Sequence, residues 1–71
     1  MKITVEAFWD EEAKVWVASA VGDIGLVTEA PSIEALQRRL ALLAPDFLEL
    51  EADTPLEIEL LTRSVQTVAA E

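Results

Sequence analysis

Side chains able to do chemistry are few in this chain and belong almost entirely to one type. There is no His, Cys or Tyr among the 71 residues, so the usual neutral-pH bases, nucleophiles and soft metal ligands are missing. What remains is carboxylates, hydroxyls and two lysines. Asp10, Glu11 and Glu12 stand in succession and could meet a hard cation, but calcium sites space their ligands over a wider loop. Glu49, Glu51 and Asp53 alternate near a Pro and present the same weak case. The Ser and Thr hydroxyls have no base to activate them, and Gly22-x-x-Gly25 is too short for a phosphate-binding loop. The residues predict a chain with no catalytic group, no metal and no cofactor.

The charge balance carries more information. Fourteen acids against five bases give a net charge of -9. The stretch from Asp46 onward is the most lopsided, its only base being Arg63. Such a field repels phosphate backbones, so direct nucleic-acid binding is not expected. It attracts a basic protein surface, and it also simply keeps an apolar domain soluble.

No apolar run approaches the roughly 20 residues that span a bilayer, and the N-terminal residues are too polar for a secretory signal. A soluble, cytoplasmic protein without membrane contact is expected. The lack of Asn and Cys, with Gln only at positions 37 and 66, is in keeping with a thermophilic source. A single domain over residues 1–71 follows from the length. A chain this short buries only about 60% of its unfolded surface, so a well-packed core or self-association has to supply its stability.

Period-two alternation marks residues 2–9 as a strand, with Ile3, Val5, Ala7 and Trp9 on one face and Thr4, Glu6 and Phe8 on the other. Residues 10–13 read as a turn and 14–21 as a second strand. A hairpin closing symmetrically over Glu11 and Glu12 sets Ala7 opposite Trp16 and Val5 opposite Ala18. Trp16, Ala18 and Ala20 then join the first face, and Val15, Val17, Ser19 and Val21 the second.

Gly22 and Gly25 mark a tight turn before a short strand at 26–30. Ser32 is a good N-cap for a helix whose apolar stripe is Ile33, Leu36, Leu40 and Leu43, with Pro45 breaking the pattern. Residues 46–50 add a further helical turn, Asp53-Thr54-Pro55 interrupts, and 56–60 resumes as a strand that could run toward Val68. Residues 69–71 are expected to fray.

The predicted fold is α+β: a two-layer β-β-β-α-β unit with sheet order 3-2-1-4 and one main helix on one face. Its crossover is expected to be right-handed. The alanine-rich first face suits the helix. Phe8, Val15, Val17 and Val21, with Glu6 among them, are left on the second face as a candidate oligomer or partner interface. A C-terminal segment folding over that face, or an exchange of the two faces, are the alternatives.

Three segments resemble the HicB-like antitoxin superfamily, and more nearly its small stand-alone bacterial branch of uncharacterised domains. They are Trp9-Asp10-Glu11-Glu12-Ala13 with Val15-Trp16-Val17-Ala18, then Gly25-Leu26-Val27-Thr28-Glu29-Ala30 with Ser32 and Glu34-Ala35-Leu36, then Leu43-Ala44-Pro45-Asp46-Phe47-Leu48-Glu49-Leu50. The resemblance implies a β-β-β-α-β fold similar to a fragment of ribonuclease H without its catalytic carboxylates. It also implies a homo-oligomeric protein-binding module that neutralises a small basic ribonuclease toxin. The alternative is a stand-alone oligomeric domain with no toxin partner. Asp23-Ile24-Gly25 lacks the proline common before the third strand of that family. The basic DNA-binding tail of many members has no counterpart here, so DNA binding is not carried over.

Overall fold

The computed structural model describes residues 1–70 and contains four strands and one helix. In chain order these are β1 (Lys2–Asp10), β2 (Val15–Ala20), β3 (Val27–Ala30), α1 (Ile33–Phe47) and β4 (Glu57–Arg63). The sheet order is β3-β2-β1-β4, as the pattern of alternation predicts. β1 pairs antiparallel with β2 and parallel with β4, so the first strand is central and the last strand forms an edge.

The hairpin register differs from the symmetric closure. Ala7 faces Ala18, Val5 faces Ala20 and Trp9 faces Trp16. The loop holds four residues because Asp10 shapes it. Its Oδ1 accepts from the N–H groups of Glu12 and Ala13, and its carbonyl accepts from Lys14 N–H at 2.7 Å. Lys14 closes the loop in the left-handed region at φ 59°. The shift is by an even number of residues, so every side chain keeps its face.

Ile3, Val5, Ala7, Ala18, Ala20 and Ala30 are buried on the first face beneath Leu36, Leu40 and Ala44 of α1. The small alanines of β1 and β2 let the helix approach closely, and the leucines fill the space above them. Ser32 caps α1, its Oγ accepting from Ala35 N–H at 3.1 Å. Glu34 sits in the first turn, where the helix dipole favours an acid.

The far end of the helix departs from expectation. Pro45 lies inside α1 instead of ending it, and Ala44 takes the buried position expected of Leu43, which is 39% exposed. A proline costs the helix one N–H and crowds the carbonyl four residues before it. So close to the end, the chain recovers by closing tightly. Leu50 N–H donates to the Pro45 carbonyl and Glu49 N–H to that of Asp46, with Glu49 at φ 56°. This is the Schellman arrangement, with a glutamate where glycine is usual.

Beyond Arg63, residues 64–70 form no regular structure, and Val65 and Val68 are 89% and 74% exposed. The molecule measures 55 × 19 × 19 Å. A strand as long as β1 spans only about 30 Å, so the C-terminal arm accounts for much of the long axis. The expected fraying of Glu71 lies outside the described residues.

Candidate functional site

The second face of the sheet carries every residue predicted for the interface. Glu6 and Phe8 come from β1, Val15 and Val17 from β2, and Val21 follows directly after β2. Phe8 and Val21 are 50% and 47% exposed, Glu6 is exposed, and Val15 and Val17 are half-buried by their neighbours alone. The arm does not fold across these residues, and the helix lies on the opposite side.

Pairing fixes what surrounds them. Phe8 faces Val17 across β2, and Val17 in turn faces Glu29 on β3. On the other side Glu6 registers with Leu61 and Phe8 with Arg63. Leu61 and Val27 therefore extend the apolar surface to both margins of the sheet, at 49% and 62% exposure. Period-two reading locates them on strands but not beside Phe8, because the β1–β4 register is set across a separation of more than fifty residues.

Charged groups frame the patch. Arg63 donates to Glu6 Oε2 at 3.4 Å, beside a shallow hollow of about 100 Å³ lined also by Phe8 and Leu61. Thr4 Oγ1 donates to Glu59 Oε1 at 3.1 Å, and Lys2 lies 3.8 Å from the same carboxylate. These pairs are solvent-exposed and contribute little to stability. Their effect is to leave the face with a mixed rim around an apolar middle, the composition of a protein-contact surface.

The carboxylate run in the hairpin is committed locally. Glu11 accepts from Trp9 Nε1–H at 2.6 Å and from Lys14 Nζ, while Asp10 holds the loop backbone. The Lys14 hydrogen bond, then that of Trp9 and the ammonium charge, hold the Glu11 carboxyl below its ordinary value. Among the described residues no three acidic side chains come together in a way that could hold a metal ion. No described helix is long and apolar enough to cross a membrane.

A second apolar surface was not anticipated. Leu42, Leu43 and Phe47 stand exposed along the β3 side of α1, and Phe47 approaches Gly25. Only the position of Ala44 as the buried residue reveals that Leu43 turns outward.

None of the curated proteins matches this chain. A solved structure does: the crystal structure of hypothetical protein TTHA1013 from the extremely thermophilic bacterium Thermus thermophilus. It is 36% identical, with a TM-score of 0.66, and the match covers 99% of this chain and 100% of that one. The family model described as Domain of unknown function (DUF1902) matches residues 2–69, and the chain belongs to that family.

Proposed function

We propose that this chain is a non-enzymatic protein-binding module that presents Glu6, Phe8, Val15, Val17 and Val21 to another protein. The observation that carries this reading is the uncovered apolar face, with Phe8 half exposed at its centre and Leu61 and Val27 at its margins. Exposing such a patch is unfavourable in water, and soluble domains that keep one use it for contact.

The charge supports a particular kind of partner. A net charge of -9 favours encounter with a basic protein and disfavours phosphate backbones. Together with the resemblance of residues 25–36 to HicB-like antitoxins, this supports an antitoxin-like role. The partner is then a small basic ribonuclease, silenced by occupation of its RNA-binding surface. Self-association is part of the same reading, since a small domain with bare apolar surface gains stability by pairing. Cytoplasmic residence fits this role.

The neighbouring gene is expected to encode a small basic ribonuclease, and the test is inhibition of its RNA cleavage by this chain. Co-purification and loss of cleavage, both abolished by Phe8→Asp, are expected. Undiminished cleavage in the presence of excess folded chain overturns the proposal.

A further inference from the structure

We infer that two copies of this chain join edge to edge through β4, antiparallel about a two-fold axis at Leu61, to make one eight-stranded sheet. This rests on the self-association reading above and names its surface. β4 is hydrogen-bonded on one side only, to β1. Glu57 donates its N–H to the Met1 carbonyl. Peptide groups alternate sides along a strand, so residues 57, 59, 61 and 63 bond inward and Ile58, Leu60, Thr62 and Ser64 direct theirs outward. From Glu57 to Arg63 the strand carries no proline, keeps an unbroken register with β1 and its backbone lies out of contact with α1, so charge alone guards its outward edge.

The occupant is fixed by charge and by side-chain facing. A two-fold antiparallel partner must pair outward groups with outward groups, which restricts the axis to whole residues. With Leu61 opposite its own copy, Glu59 meets Arg63 twice, once on each side of the axis. Glu57 meets Val65, Leu60 meets Thr62 and Ile58 meets Ser64. Moving the axis to Glu59 sets Glu59 against Glu59, and moving it to Arg63 sets Arg63 against Arg63. An axis at Thr62 leaves these charges unpaired across the seam. One at Leu60 sets Glu57 against Arg63 but places Glu59 opposite Leu61 and gives up the contact of Leu61 with its own copy.

The chosen register also explains Leu61, an exposed leucine that a solvent-facing edge has no need of, beside Leu60, which already packs against the core. Leu60 and Leu61 are adjacent and point to opposite faces, so both sides of β4 are apolar at its middle. Leu61 is 49% exposed, and Leu60 with Ile58 and Leu40 rims an open hollow of about 220 Å³ on the helix side. In the joined sheet Leu61 packs on its copy on one face and Leu60 gathers with its copy on the other. The pairing uses residues 57–65, which draws the exposed Val65 at the start of the arm into the ladder. Face two then becomes continuous across both subunits, with each Phe8 one strand in from the seam.

Sedimentation equilibrium of the intact chain tests this, with circular dichroism to confirm folding. The wild type is expected as a dimer at micromolar concentration. Thr62→Pro removes an outward N–H that β1 does not use, so the fold stays and the dimer is lost. Glu59→Arg and Arg63→Glu each weaken association at least tenfold, and the double variant restores it. A wild type that stays monomeric at hundreds of micromolar overturns the inference. So does a dimer that survives Thr62→Pro but is broken by Phe8→Asp, an outcome that leaves the proposed use of face two standing.

Discussion

Trp9 and Trp16 face each other across the hairpin with ring centroids 5.5 Å apart and planes at 61°, edge against face. They occupy a pair whose backbone groups point away from each other, the kind that brings side chains closest in an antiparallel ladder. Trp16 also leans on the core, whereas Trp9 is tied to the loop through Glu11. A double-mutant cycle between Trp9→Ala and Trp16→Ala is expected to give a coupling of about 0.5–1.5 kcal/mol in urea unfolding. Additive single effects would show that the rings act separately.

The covered and open sides of the sheet should respond unequally to truncation. Leu36 is fully buried in the same core cluster as Val5, and Leu36→Ala is expected to cost about 2–5 kcal/mol. For a domain this size that is a large share of its total stability. Phe8→Ser on the open face should cost less than about 1 kcal/mol in the same measurement. Its effect belongs to binding. Equal losses at the two positions would mean that Phe8 is covered within the monomer.

Glu49 offers a stabilising change. Its φ of 56° places a side chain where only glycine is free of strain, and among the described residues no side chain hydrogen-bonds or ion-pairs with its carboxylate. Glu49→Gly should raise stability by about 0.5–1 kcal/mol, the relief of the left-handed penalty less glycine's own entropic cost. A fall in the unfolding midpoint would contradict the observed helix closure.

Acid titration should single out Glu11. Its folded carboxyl is held low, first by the Lys14 hydrogen bond, while the unfolded chain keeps the ordinary value. The contribution to hairpin stability is thus present above the ordinary carboxylate range and is lost as pH falls through the folded pKa. Carboxyl carbon NMR should show Glu11 titrating at lower pH than in a Lys14→Met variant. Coincident curves would remove the Lys14 contact.

Local alternation was enough to recover the order of elements, the sheet order and both faces, because Ala7, Ala18 and Ala20 fall on one face with Ile3 and Val5 while Thr4, Glu6 and Ser19 fall on the other. What escaped it has physical causes. The hairpin register depends on Asp10 folding four residues into the loop; Asp is a turn-forming residue, but its presence marks the turn without fixing how many residues the turn takes. Hydrophobicity favours Leu43 over Ala44, but the turn of α1 sets Ala44 on the sheet side and Leu43 beside it. Pro45 reads as a breaker until the closing bonds at Glu49 and Leu50 are seen to rescue the last turn. For the candidate site, Phe8 and Val17 were visible from period two. Leu61 was not, since its neighbours come from the opposite end of the chain.

That long-range parallel pairing has a consequence for biogenesis. The central ribbon is synthesised more than fifty residues before its second neighbour. Until Glu57–Arg63 emerges, the half-built platform carries Ile3 and Val5 with one flank bare, a sticky intermediate in a crowded cell. Completion of the sheet is therefore gated by the appearance of Glu57–Arg63, and the species that lacks this strand is the one a chaperone would meet.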